Sequence, residues 1–298
     1  MRQRFARAAA DRDRYEQASW LQREVAKRML ERLEYMRLDP RIVVDAGAGS
    51  GHALAALGER FPAARLVAVD IVREQLEPLA PGRTVIDRLR RWIGPSRTHP
   101  VVADYSRLPL RDASIGCVWS NLSLQWTAEP SQAFAEWHRV LETSGLVMFS
   151  TLGPDTLKEL RAAWSGGDRS ARQPPRVHPF IDMHDLGDML VGAGFADPVM
   201  DMEALTLTYR DVDALLADLQ GAGAAGAHVE RPRGLTGKAS WRALRDAYET
   251  RRRDDGQLPA TFEIVYGHAW KPTPRARADS DGVARVRVED IGGLGRRR

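Results

Sequence analysis

The chain has 298 residues, 43% hydrophobic and 28% charged, with 44 Lys and Arg against 40 Asp and Glu, giving a formal net charge of +4. This is the balance of a soluble globular protein with one large domain and an appendage, and its small positive excess permits an acidic partner without demanding nucleic acid. One cysteine, Cys117, excludes a disulfide framework and suits a reducing, cytoplasmic compartment, and no apolar stretch approaches the ~20 residues of a membrane span.

The N-terminus carries acids and lacks an apolar core, so it does not read as a secretory signal. Residues 15–38 predict an amphipathic helix, with Leu21, Val25, Met29, Leu30 and Leu33 at helical spacing and Pro40 beyond its end. Residues 1–40 thus form a helical arm ahead of the main domain. The β-branched run RIVVD (41–45) predicts a buried strand, and HALAALGERF (52–61) a crossover helix. RLVAVD (65–70), HPVVAD (99–104), IGCVWSN (115–121) and GLVMFST (145–151) predict four more strands, with a helix from Pro130 that turns Phe134, Trp137, Val140 and Leu141 inward. Residues 77–98 include the basic helix-like TVIDRLRRWIG, read either as a cover for the sheet or as a patch for an acidic partner.

Past Thr151 the alternation loosens. Helices are expected over GPDTLKELRAAW (153–164), over 182–195 with Gly194 as the stop, over 211–220 and over 240–253. Strands are expected over ALTLTY (204–209) and ATFEIVYGHAW (260–270). The Gly-, Pro- and Arg-rich stretches near 165–180 and 221–240 suggest lids on a domain spanning 41–271, and 272–298 a disordered tail. The fold class is α/β, a doubly wound, mostly parallel, seven-stranded sheet of Rossmann-like type. Ligands of such sheets bind at the carboxyl ends of the strands, where Asp45, Asp70, Asp104 and Asn121 stand.

The loop DAGAGSG (45–51) admits three readings. A Walker loop needs Gly-Lys-Ser/Thr at its end, and here His52 follows Gly51. A dinucleotide fingerprint needs Gly-x-Gly-x-x-Gly, but the third glycine arrives one position early and Asp45 would repel a pyrophosphate. S-adenosyl-L-methionine (SAM), with an ammonium, a sulfonium and no phosphate, fits better. Asp45 suits its positive end, and Gly47, Ala48, Gly49 and Gly51 bring backbone close to the methionine part and ribose. The following helix N-terminus offers N–H groups to its carboxylate. Asp70 is placed for the ribose hydroxyls, Ile71 for the adenine face, Asp104 and Tyr105 for the adenine edge, and Asn121 for the reactive side. The seven histidines show no metal-ligand spacing, so no metal is expected.

VVDAGAGSG, VAVDI, ADYSRLPL and VWSNLSLQW resemble the motifs of class I SAM-dependent methyltransferases. Together with RAAADRDRYEQASWLQREVAKRML, STLGPDTLKELRAAW, DLQGAGA, GLTG and LPATFEIVYGHAW, they resemble the malonyl-acyl-carrier-protein O-methyltransferases of biotin synthesis, over about residues 4–271. A sister group, the mitochondrial complex I assembly factors that modify protein arginine, is similar at DTLKELR, HPF, DLGDML and LPATFEIVY. Two departures stand out. Ala48 occupies a position where the first family more often has cysteine, and the 77–98 segment is longer than usual.

The first resemblance implies an acidic acyl carrier protein as partner and a monomeric, cytoplasmic enzyme. A malonyl carboxylate, ionised near neutral pH, needs no general base, only alignment and exclusion of water. Tyr15 and Gln22 are candidates to close over the cofactor, Trp126 to wall the reactive pocket, and Arg172, Arg176 and His178 to hold the carboxylate or the carrier's phosphopantetheine. Arg231, Arg233, Arg251, Arg252 and Arg253 are candidate docking charges.

Overall fold

A computed structural model describes residues 2–79, 98–167, 176–224 and 236–273. The strands are β1 (Ile42–Ala46), β2 (Arg65–Asp70), β3 (Thr98–Val102), β4 (Ile115–Ser120), β5 (Leu141–Leu152), β6 (Ala196–Tyr209) and β7 (Leu258–Trp270). They make one seven-stranded sheet in the order β3-β2-β1-β4-β5-β7-β6. Only β7 runs antiparallel to its neighbours, inserted between β5 and the edge strand β6. The expected doubly wound, mostly parallel sheet is therefore present. Its order reverses between β1 and β4, and the crevice where ligands of such sheets bind opens at their carboxyl ends.

The central strands are continuous apolar runs because both faces are covered. In β1, Val43 faces one core layer with Leu66, Trp119 and Met148, and Val44 faces the other with Val67, Val118 and Phe149. On the first face lie α3 (Trp20–Leu33), α4 (Leu54–Arg60), α7 (Lys158–Gly167), α9 (Val212–Gly221) and α10 (Lys238–Glu249). On the second lie α6 (Pro130–Val140) and α8 (Met183–Gly192). A short α5 (Arg73–Leu76) follows β2.

The N-terminal arm departs from its expected form. The single helix over 15–38 is instead α2 (Arg12–Ala18) and α3, preceded by an unanticipated α1 (Arg2–Ala10). The break falls at Ser19, which is fully buried and whose hydroxyl donates to the Tyr15 carbonyl at 2.6 Å, satisfying an oxygen at the end of α2. Asp11 separates α1 from α2 and caps the latter through the Arg14 amide. Gly194, at φ +95°, follows the end of α8 as expected. Strand β6 begins eight residues earlier than ALTLTY suggested. Residues 80–97, 168–175, 225–235 and the tail from 274 lie outside the described residues, and with them most of the 77–98 segment, the middle of each expected lid and the tail.

Candidate active site

At the end of β1 the chain enters the glycine loop. Gly47, Gly49 and Gly51 all have positive φ, at +83°, +53° and +83°, a region L side chains rarely occupy. At Gly47 space is limiting as well: a Cβ would stand 2.4 Å from Ser123 Cβ. Ser123 and Ser120 hydroxyls both donate to the Ala46 carbonyl at 2.9 Å and lie 2.6 Å from each other, tying the tip of β4 under the loop.

The loop's amides are already in use. Gly47 and Ala48 N–H donate to the Val69 carbonyl, Gly51 N–H to the Ala48 carbonyl, and Gly49 N–H to Asp70 Oδ2 at 2.9 Å. The glycines' expected part, close approach of backbone, is thus separate from that of the following helix N-terminus, where donors to a carboxylate are expected. Helix α4 starts only at Leu54, whose own amide donates to the Gly51 carbonyl. Among the described residues nothing donates to the Gly47 or Gly49 carbonyls, so this loop has acceptors to offer.

Three strand-end carboxylates line one cavity of about 920 Å³. Asp45 is 3% exposed, and no described donor reaches it. Burial, with the nearby Asp70 charge, pushes its carboxyl up to about 7. Asp70 is also shifted upward by burial, opposed by the Val72 and Gly49 amides it holds. Those bonds fix its orientation and take part of the capacity expected for ribose hydroxyls. Asp104 Oδ1 accepts both the amide and the hydroxyl of Ser106. Ile71, 37% exposed, lines the cavity between these groups. Tyr105 lines it as well, donates its hydroxyl to the Ser123 carbonyl, and is shifted upward by burial.

The arm closes the opposite wall. Tyr15 is buried, with its ring stacked 6.5 Å from His52 and its hydroxyl pushed up to about 12 by burial. A Cβ at Gly49 would stand 3.2 Å from the Tyr15 hydroxyl. Asn121 donates to the Gln22 backbone carbonyl at 2.8 Å and accepts from Ser150, so its amide joins the arm to β4 and β5. Gln22 Oε1 is buried in the cavity wall without a hydrogen-bond partner. An orphaned amide oxygen and a carboxylate without a donor make an acceptor-rich pocket. These residues fit a small cation such as the ammonium of an amino acid, and they do not fit a phosphate.

The far end of the cavity is aromatic. Trp126 packs edge-on against Phe5 of α1 at 5.3 Å and lies 6.3 Å from His178, which in turn meets Phe180. Arg176 lies over the Trp164 ring at 4.2 Å and donates to the Thr236 hydroxyl. The structure thus brings Trp126, Arg176 and His178 to the same cavity as the strand-end aspartates. Arg172, Arg231 and Arg233 fall outside the described residues. Of the other expected docking charges, Arg252 pairs with Glu249 and donates to the Arg210 and Gly256 carbonyls, a structural clip rather than a free cation. Arg251 donates to the Ala247 carbonyl. Among the described residues no group of His, Cys, Asp and Glu could hold a metal, and no helix is long and apolar enough to cross a membrane.

Several cavity residues had no sequence signal of their own. Ser123 reads as an ordinary loop serine, Trp164 and Trp241 read as helix residues, and Phe5 and Gln75 fall in stretches given no helix of their own. Gln75 is 4% exposed although polar, and only the packing of α5 against the arm shows that it lines the site.

A methyltransferase-domain family model matches residues 44–149, from β1 into β5. The fold is similar to the YcgJ protein of Bacillus subtilis, at a TM-score of 0.54 and 16% identity, covering 84% of this chain and 99% of that one. A malonyl-acyl-carrier-protein O-methyltransferase of Gallionella capsiferriformans is 50% identical over 96% of this chain and 95% of its own length. One from Methylovorus is 49% identical over 96% and 93%. With such identity running from the arm through β7, this chain belongs to the malonyl-acyl-carrier-protein O-methyltransferase family.

Proposed function

We propose that this protein transfers the methyl group of SAM to the free carboxylate of a malonyl thioester on an acyl carrier protein, an early step of biotin synthesis. The observation that carries the reading is the convergence of Asp45, Asp70, Asp104, Trp126, Arg176 and His178 on one cavity, in a chain half identical to a malonyl-acyl-carrier-protein O-methyltransferase along nearly its whole length.

Asp45, the Gln22 Oε1 atom and the loop carbonyls would hold the amino-acid end of the cofactor. Asp70 keeps oxygen capacity for ribose hydroxyls, while Asp104, Tyr105 and Ile71 border the nucleoside end. When bound, SAM supplies an electrophilic methyl on a sulfonium. The remaining work is positional. A carboxylate with a pKa near ~4 is ionised at neutral pH, so the protein need not remove a proton. Arg176 supplies positive charge to orient the acceptor, with His178 beside it. Trp126, Phe5 and Tyr15 exclude water, which keeps the oxygen and methyl aligned and strengthens each electrostatic contact. The absence of a general base from this scheme agrees with a site whose carboxylates are placed to bind cations.

The direct test is incubation with malonyl carrier protein and methyl-labelled SAM. Label recovered as a base-labile ester on the carrier is the expected result, together with growth rescue of a biotin auxotroph lacking its own enzyme. Absence of both sinks the proposal, and base-stable label on protein arginine would move the chain to the assembly-factor reading.

A further inference from the structure

A second groove, of about 670 Å³, lies on the surface between α9 and α10. Leu216, Gln220 and Trp241 border both this groove and the main cavity, so these side chains are the boundary between the two. Trp241 meets Trp164 edge-on at 5.5 Å, and Arg176 lies over the other ring. A row of flat side chains therefore leads from the open groove to the inner cation.

The charges at the groove are not equivalent. Arg245 is held by Asp213 through two hydrogen bonds of 2.9 and 3.0 Å. Lys238 and Arg242 are exposed, stand one turn apart on the same face of α10, and form no ion pair among the described residues. The groove thus has two free cations at its rim and uncharged side chains at its inner end. Asp213 and Asp246 also line it, which disfavours a polyanion lying along its whole length.

We propose that this groove is the docking site of the acyl carrier protein. Lys238 and Arg242 take the carrier's acidic surface and the phosphodiester of its prosthetic arm, and the uncharged part of the arm runs past Trp241 into the main cavity. The order of chemistry matches: an anionic root, then a neutral chain of amides, then the thioester with its carboxylate near Arg176. The inference rests on the function proposed above, since it names where that acceptor enters.

The test compares two acceptors, malonyl carrier protein and malonyl-pantetheine, which has neither the protein nor the phosphate. In the double variant Lys238→Glu/Arg242→Glu, the ratio of kcat/KM on the carrier to that on malonyl-pantetheine is expected to fall at least tenfold, chiefly through KM. The conservative pair Lys238→Arg/Arg242→Lys is expected to keep the ratio within about twofold, and reversal at Arg65, an exposed cation at the start of β2, to leave it unmoved. An active wild type whose ratio is insensitive to the double reversal overturns the docking site alone. A wild type that methylates neither acceptor overturns the function itself, and the docking site with it.

Discussion

At the scale of single residues, Asp45 carries the cost of burying a carboxyl in the cavity wall. Burial raises its carboxyl from an ordinary 3.8 to about 7, so the folded chain holds that proton to higher pH than the unfolded chain does. The stability this contributes is complete below pH ~4 and is lost as pH rises towards 7, leaving a buried anion. Asp45→Asn is therefore expected to raise the ligand-free thermal midpoint at pH 8, by up to about 4 kcal/mol in stability, and to change it little at pH 4. The same substitution should weaken cofactor binding at pH 8 by about tenfold or more. In the wild type, affinity should fall by up to tenfold per pH unit below about 7, because binding a cation requires the anion. Calorimetric titration across pH 5–9 checks both signs. Gly47→Ala should lose about 1–3 kcal/mol and most cofactor affinity, and removing the Ser123 side chain as well should relieve the clash but not the backbone strain at φ +83°. Much of this was legible in the sequence. Alternate glycines behind an aspartate, with acids at successive strand ends, give a cation-binding loop. What stayed hidden was the partner of each group: Ser123 beneath Gly47, Val69 receiving the loop amides, and Gln22 with its oxygen unpaired, all of them distant in sequence.

At the scale of elements, β7 is the piece that makes this sheet unusual, since it runs against its neighbours and fills the space between β5 and β6. Gly267 at its centre leaves room for the fully buried Phe149, whose Cζ would lie 2.3 Å from an added Cβ. Gly267→Ala should therefore destabilise the protein by about 1–3 kcal/mol, seen as a lower urea midpoint with an unchanged slope. Helix α3 is fastened to β6 and β7 by Arg28 to Glu203 at 2.5 Å, Arg32 to Asp201 at 2.7 Å and Arg32 over the Tyr266 ring, while the Tyr266 hydroxyl donates to Glu203 between the two strands. These contacts explain why β6 is longer than its apolar core. Residues Asp201 and Glu203 look like turn or loop residues in isolation, but in place they share the sheet face that α3 covers and meet arginines of the arm. Strands β1 to β5 were legible because they are short, apolar and regularly interrupted. The break at Ser19 was not, because helical periodicity continues across it and only a buried hydroxyl bonded to the Tyr15 carbonyl marks the joint.

At the scale of the whole molecule, the cavity is walled by strand ends from the middle of the chain, by the arm from its start and by α9 and α10 from its end. A ligand filling it should stabilise all of these together. S-adenosylhomocysteine at a hundred times its Kd is expected to add about 2.7 kcal/mol to stability, read as a raised melting temperature, and a tenfold weaker Asp45→Asn should gain about 1.4 kcal/mol or less at the same concentration. The sheet and its class were readable from the order of strands, whereas the closure of one end of the chain upon the other was not, since neither end carries a motif for it. The contact is specific: Arg14 reaches the Ala217 carbonyl across 203 positions, Ala18 packs on Gly221, and Phe5 packs on Gly223. That long-range closure has a consequence for biosynthesis. Part of the arm's docking is made early, with Tyr15 on His52, Gln22 bonded to Asn121 and Phe5 against Trp126, but its contacts at Ala217, Gly221 and Gly223 form only once α9 has been made. Loop closure over such a separation is slow and late in folding. A nascent or prematurely terminated chain can therefore complete the glycine loop and its strand-end acids while lacking the side of the cavity that Leu216, Leu219 and Trp241 close.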